Sequence, residues 1–196
     1  FFRNIKTVHL KASDPKIGFA SEREWANSFI ENYSKKLNKP YRKAYYLYAK
    51  SLYYFLNKEF DNAFSLLVSN VSYQQATFIN IDTRILYLQV LFELEIQGHA
   101  LTDENQEEIE LGQEIQVFRK MVSNLKRKKV VINDQDQHYH QFYLQFNGLY
   151  TLFIRYFRVY KKDDQVFINK KQELLKKVKE KSYSFTQWML SKIEKI

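Results

Sequence analysis

The sequence predicts an all-α protein of about eight or nine helices, arranged as antiparallel helical hairpins that stack on one another. Only four glycines and two prolines occur in 196 residues, too few for the frequent turns of a β-sandwich. Apolar residues recur at three- and four-residue steps along most of the chain, which is the spacing of amphipathic helices. Aromatic residues make up 17% of the chain and provide ample material for a core.

After a weak helical pattern over residues 1–12, a clearer helix is predicted to follow residue 21. Ser21 and Glu24 have the spacing of a capping box, in which each side chain bonds a backbone amide that the helix leaves unpaired. This helix would carry three aromatic residues on one side, namely Trp25, Phe29 and Tyr33. We expect it to end at Lys39, because the residue before a proline is pushed out of the α conformation.

The clearest helical hairpin spans residues 44–67. A tight turn at residues 57–59 separates a first helix, which begins near residue 41, from a second helix over residues 60–69. Ser51 and Ala63 are small, so the two helices could approach each other closely at these positions.

A second apolar helix is predicted over residues 82–96. Asp82 is a plausible N-cap, and Gly98 would end the helix. Shifting the first hairpin by 38 residues places Leu47 on Ile85 and aligns other positions in character, which is compatible with a degenerate helical repeat.

Longer helices are predicted in the second half, over residues 103–129, 134–160, 166–181 and 184–195. The first of them has an apolar stripe at Leu111, Ile115, Phe118, Val122 and Leu125. We therefore expect residues 1–196 to form one helical-repeat domain within a longer protein, with hairpins over 1–100 and a helical bundle over 101–196.

The hairpin resembles the tetratricopeptide repeat, a helix-turn-helix unit of about 34 residues. The residues that carry the resemblance are Leu47, Ser51, Tyr54, Phe60, Ala63 and Leu67. Leucine replaces the family's tryptophan, serine replaces its glycine, and Gln75 stands in place of its terminal proline. Residues 41–75 match reasonably, and the chain as a whole looks like the C-terminal portion of bacterial helical-repeat proteins of this type. The resemblance implies a right-handed α–α superhelix with a concave surface for proteins or peptides.

Four tyrosines of the hairpin are candidate partner-binding residues, namely Tyr45, Tyr46, Tyr53 and Tyr54. Tyrosine gives a large contact area at low entropy cost, so some of these rings could face a groove near residues 41–54 and 85–92. The alternative is that the rings fill space between helices and place their hydroxyls at the rim. The main hypothesis from the sequence is a non-enzymatic scaffold that binds an unknown protein or peptide.

Basic clusters provide a rival hypothesis. The net charge is +9, and four consecutive cations, Lys126, Arg127, Lys128 and Lys129, could contact phosphates. With residues 119–129 and 170–181 as basic patches, the alternative function is binding of a nucleic-acid backbone. Six acids over residues 103–114 precede these bases, and complementarity to a helix dipole is sufficient to explain that order without binding patches.

Several classes of function are disfavoured. The chain has no cysteine, which excludes disulfides and thiol chemistry and fits a reducing compartment, so we expect a cytoplasmic protein. No phosphate-binding loop or hydrolase motif is found, so we predict no enzymatic activity and no cofactor. His138 and His140 would point about 200° apart on a helix and could not chelate one metal. The most apolar window, residues 142–160, contains two arginines and is better explained as a buried helix than as a membrane span.

Overall fold

The all-α prediction is confirmed by the computed structural model. The structure describes residues 22–68, 78–99, 101–102, 108–127, 134–159, 165–180 and 184–194, and these contain helices and no β-strand. The helices of this part of the chain are α1 (Glu22–Tyr33), α2 (Lys39–Leu56), α3 (Phe60–Val68), α4 (Phe78–Ile96), α5 (Leu111–Arg127), α6 (Asp134–Val159), α7 (Gln165–Lys179) and α8 (Ser184–Ile193). A short 3-10 helix, Ser34–Lys36, follows α1, and Pro40 occupies the first turn of α2, where its missing amide hydrogen costs nothing.

The chain divides into two compact units, residues 1–118 and 119–196, and the division falls within α5. In the first unit α1 packs on α2, α2 packs on α3, and both α2 and α3 pack on α4. In the second unit α7 packs on both α6 and α8. Helices within each unit thus pair mainly with their neighbours in sequence.

The predicted turn at residues 57–59 is confirmed. Lys58 adopts a φ of +62°, in the left-handed region, and the chain reverses there between α2 and α3. The amide of Glu59 donates to the carbonyl of Tyr54 at 2.9 Å, and that of Lys58 donates to the carbonyl of Phe55 at 3.0 Å. These two bonds are those of a Schellman motif, which pairs carbonyls that the helix end would otherwise leave unsatisfied.

Small residues lie where α2 and α3 bury their contact faces. Ala49, Ser51 and Ala63 are all fully buried, and Leu67 is buried one turn beyond Ala63. The Ser51 hydroxyl has no hydrogen-bond partner among the described residues, so its small volume explains its presence better than its polarity does. The predicted roles of Ser51 and Ala63 in close helix packing agree with this burial.

Helix α4 is the most deeply buried helix of the first unit, since every residue from Arg84 to Leu94 is buried. It begins at Phe78, so the prediction that Asp82 caps its N-terminus is wrong. The apolar residues before Asp82 extend the helix backward, and Ile81 among them is fully buried. The expectation that residues 85–92 line an open groove is also wrong, because these residues form the core.

Helix α4 ends in the same way as α2. Gly98 has a φ of +80°, and the amides of Gly98 and His99 donate to the carbonyls of Glu95 and Leu94, both at 3.1 Å. Lys58 and Gly98 are therefore equivalent positions of two Schellman motifs, 40 residues apart. This separation is two residues more than the shift that aligns their apolar residues in the sequence.

Helix α5 begins at Leu111. The predicted start near residue 103 is therefore wrong. Thr102 and Glu108 form an isolated antiparallel bridge, and residues 109–110 are not helical. Residues 103–107, which include three of the six acids, lie outside the described residues. Most of the acidic run therefore precedes the helix, and the dipole explanation applies at most to Glu110 and Glu114. The predicted apolar stripe of α5 is confirmed, because all five of its residues are buried.

The second unit has an aromatic core between α6 and α8. The Phe185 ring of α8 lies edge-on to Phe146 at 4.8 Å, and Trp188 lies 5.2 Å from Phe153. Phe146 also stacks on Tyr150 at 5.2 Å along α6. Offset and edge-on rings of this kind add to the stabilisation from burial.

The left-handed turn residues provide a first test. Lys58→Gly should raise the free energy of unfolding by about 0.5–1 kcal/mol, because glycine adopts a positive φ without a steric cost. Gly98→Ala should lower it by about 1 kcal/mol through backbone strain alone, since no atom of the described residues lies within 4 Å of the added Cβ. Urea unfolding followed by circular dichroism measures both changes. If neither variant differs from the wild type, the left-handed conformation at these turns is wrong.

The buried position of Ala63 provides a second test. Ala63→Trp should overpack the α2–α3 contact and lower the free energy of unfolding by at least about 1–3 kcal/mol. Ser65→Trp is the matched control, because Ser65 is exposed on the same helix and should accept the ring with little change. Thermal unfolding of both variants measures the difference, and equal melting curves would place Ala63 away from any helix contact.

Candidate functional site

A cluster of three tyrosines surrounds Lys50 on one side of α2. Tyr46, Lys50 and Tyr53 follow each other at four- and three-residue steps, so they share one side of the helix, and Tyr54 adjoins it. The Lys50 ammonium lies 5.6 Å from the centre of the Tyr53 ring and 5.5 Å from that of Tyr54. These distances are within the range of cation–π attraction. We call Tyr46, Lys50, Tyr53 and Tyr54 the tyrosine–lysine face.

Helix α1 fixes this face through polar bonds. Lys50 donates to the Glu31 carboxylate at 2.8 Å and to the side-chain oxygen of Asn27, and the Tyr46 hydroxyl donates to the same carboxylate at 3.1 Å. The bond from Lys50, helped by that from Tyr46, lowers the pKa of Glu31 below its ordinary value, so Glu31 is charged at neutral pH. The Lys50 side chain is only 12% exposed, and its position is therefore set by Glu31 and the two rings.

The four predicted tyrosines do not form one cluster. Successive residues of a helix point about 100° apart, so Tyr45 lies on a different side of α2 from Tyr46. All four side chains are half-buried, which agrees with neither a fully buried core position nor a fully exposed surface position. Tyr46 fits the space-filling alternative, because its hydroxyl ties α2 to α1. Unlike Tyr46, the other two tyrosines of this face, Tyr53 and Tyr54, do not bond Glu31 through their hydroxyls.

An aromatic row on α1 adds a second apolar surface. Trp25 stacks on Phe29 at 5.0 Å, Phe29 stacks on Tyr33 at 4.4 Å, and the Lys36 ammonium lies 4.6 Å from the centre of the Tyr33 ring. The four-residue steps that brought these rings together are visible in the sequence. The buried face of α1 lies between this row on one side and Glu31 on the other. Because Glu31 contacts the tyrosine–lysine face, the row is separate from that face.

The structure describes the predicted phosphate-binding residues only in part. Lys128 and Lys129 lie outside the described residues, and so do the side chains of Lys126 and Arg127. Arg119 and Lys120 are exposed on α5. The lysines of α7 differ in exposure. Three are exposed, namely Lys170, Lys176 and Lys179, and two are half-buried, namely Lys171 and Lys177.

A half-open cleft of about 260 Å³ lies between α6 and α7, and the sequence did not reveal it. Leu152, Tyr156 and Leu174 form its apolar floor. Its charged lining residues are Arg155, Lys170, Glu173 and Lys177. We call this site the α6–α7 cleft.

The charges of the cleft are organised around Glu173. Lys177 donates to its carboxylate at 2.6 Å and Lys170 donates at 3.3 Å, and both bonds lower the pKa of Glu173. Arg155 is exposed and makes no hydrogen bond or ion pair with the other described residues. With three cations and one anion, the lining carries a net charge of +2.

Arg84 is a buried cation of α4. It forms an ion pair with Glu114 of α5, and its guanidinium lies 5.0 Å from the centre of the Tyr87 ring. Burial lowers the pKa of Arg84 to about 10, which leaves it charged at neutral pH, and Glu114 supplies the opposite charge. Because Arg84 is only 4% exposed, we assign this pair a structural role.

The described residues contain no candidate metal site and no candidate membrane span. No group of three or more histidine, aspartate or glutamate side chains there is placed to hold a metal. His138 and His140 both lie on α6, two positions apart. No helix within the described ranges combines the length and the apolar character that crossing a membrane requires.

The contact between Lys50 and Glu31 leads to a pH-dependent prediction. Lys50→Met should lower the free energy of unfolding by about 0.5–1 kcal/mol near neutral pH. Because the pKa of Glu31 is lowered, the ionic part of this contribution is complete above the ordinary value of 4.5 and is lost as the pH falls through the lowered pKa. The difference between variant and wild type should therefore shrink in acid.

Thermal unfolding of both proteins across this pH range measures the difference, and an NMR titration of the Glu31 carboxyl should show its pKa rising in the variant. Lys39→Met, which removes an exposed cation of the same helix, should leave that pKa unchanged. A difference that stays constant into acid would mean that the methylenes of Lys50, and not its charge, stabilise the helix pair.

Comparisons of this chain with protein-family models, with curated proteins and with solved structures found no match. The likeness to the tetratricopeptide repeat remains a resemblance carried by residues 41–75.

Proposed function

We propose that this protein is a non-enzymatic scaffold that binds a protein or peptide segment on the tyrosine–lysine face. The observation that carries the proposal is the placement of Tyr53 and Tyr54, whose half-buried rings lie edge-on to each other at 5.6 Å beside Lys50. Aromatic rings held in place in this way are typical of the residues that dominate binding energies at protein interfaces.

The fixed position of Lys50 supports the same proposal. Lys50 bonds to Glu31 and Asn27 within the unbound protein. We therefore expect the rings beside it to need little reordering when a partner binds. A surface that is already ordered loses less entropy on binding. The charge of Lys50 is matched by Glu31, and we therefore expect the partner to contact the rings rather than the ammonium.

A peptide library displayed on phage tests this proposal. Peptides selected on the full chain should bind it in fluorescence polarisation, and the double variant Tyr53→Ala, Tyr54→Ala should weaken binding by at least about tenfold. Tyr139→Ala is the matched control, because Tyr139 is an exposed tyrosine of α6 and should not alter binding. If the selected peptides bind the double variant as tightly as the wild type, the tyrosine–lysine face is not the peptide-binding site.

The second candidate function is binding of a nucleic-acid backbone, and the lysines of α7 favour it. Five of them are described, of which three are exposed. Phosphate contacts release counterions, so a true phosphate interface loses affinity steeply as salt rises. Titration of a labelled oligonucleotide at increasing salt measures this slope, and no binding at about 50 mM salt would exclude the candidate.

A further inference from the structure

The α6–α7 cleft combines an apolar surface with charged side chains. Its apolar floor, of which Leu152 is 39% exposed, lines the same cleft as Arg155. Leu152 and Arg155 are three positions apart on α6, so they lie on the same side of the helix. A ligand that covers this floor would therefore bring its polar group close to an arginine.

We propose that the α6–α7 cleft binds an acidic peptide segment, which seats one apolar side chain on the floor while its carboxylates pair with Arg155. The site is distinct from the tyrosine–lysine face, and the proposal does not depend on a role for that face.

Charge and size both favour such an occupant. The lining has a net charge of +2, and arginine binds carboxylates through two parallel hydrogen bonds. Pockets for drug-sized ligands have volumes of about 300–1,000 Å³, so a cleft of about 260 Å³ suits one large side chain rather than an extended cofactor. The sequence of the connector between the two helices, with Lys161, Lys162, Asp163 and Asp164, adds no net charge.

The same residues disfavour a phosphate backbone as the occupant. Glu173 stands between Lys170 and Lys177 and would repel a chain with a negative charge at every nucleotide. An exposed leucine in the floor gives nothing to a phosphate, whereas it adds contact area for a leucine or phenylalanine side chain. An acidic peptide can keep its carboxylates near Arg155 and leave Glu173 paired with its own lysines.

A direct binding experiment tests the proposal. The probe is a fluorescein-labelled peptide with one leucine between two pairs of glutamates, titrated against the full chain by fluorescence polarisation. Arg155→Gln and Leu152→Ser should each weaken binding, the former by at least about tenfold. Both residues are exposed, so both variants should keep the fold, as circular dichroism would verify. A peptide with serine in place of the leucine should bind the wild type more weakly, and one with lysines in place of the glutamates should not bind.

Matched variants separate this site from others. Lys176→Gln removes an exposed charge of α7 outside the cleft and should leave binding unchanged, and so should the double variant Tyr53→Ala, Tyr54→Ala. The proposal is overturned if the peptide does not bind the wild type, or if Arg155→Gln and Leu152→Ser bind it normally. Equal losses for Lys176→Gln and Arg155→Gln would indicate general charge attraction and also overturn it. The same holds if an oligonucleotide displaces the peptide and loses its own affinity in Arg155→Gln, because that result assigns the cleft to phosphates.

Discussion

The burial of α4 is the constraint on which the first unit depends. Eleven consecutive residues, from Arg84 to Leu94, are buried, so the helix has no side left for solvent over three turns. Helices α2 and α3 both pack against it, and its buried stretch includes two charged side chains, those of Arg84 and Glu93. Arg84 is tolerated only because Glu114 neutralises it and the Tyr87 ring lies beside it. A rotation of α4 by one residue would carry Arg84 about 100° away from Glu114, so this pair helps to fix the rotation of a helix that is buried on all sides.

The sequence predicted the parts of the fold that local chemistry determines. The turn at Lys58, the stripe of α5 and the bounds of α6, α7 and α8 all follow from spacing within one segment. The predicted starts of α4 and α5 were wrong because each was inferred from the type of the polar residues near the expected start. Asp82 has a side chain that suits an N-cap, but the apolar residues before it gain more by continuing the helix into the core. Acids suit the first turn of a helix, but Thr102 and Glu108 bridge instead, and the helix starts later.

In the candidate sites, too, local sequence predicted some features, and packing between helices determined the others. An excess of tyrosine near residue 50 was visible in the sequence, whereas the bond of Lys50 with Glu31 depends on how α1 lies against α2. The α6–α7 cleft was not predictable either, because it depends on which residues of α6 face Lys170 and Lys177 of α7. The same placement distinguishes lysines that had looked equivalent, since Lys177 lines the cleft and Lys176, next to it in sequence, does not.

The pairing of each helix with its neighbour in sequence has a consequence for how the chain folds. In the first unit α1, α2, α3 and α4 contact one another in order, so the segments that meet are close along the chain. Closing a short loop costs little entropy, and proteins dominated by local contacts fold within microseconds to milliseconds. The α2–α3 hairpin can therefore form as soon as its residues leave the ribosome, and α4 can then bury its apolar surface against a hairpin that is already in place.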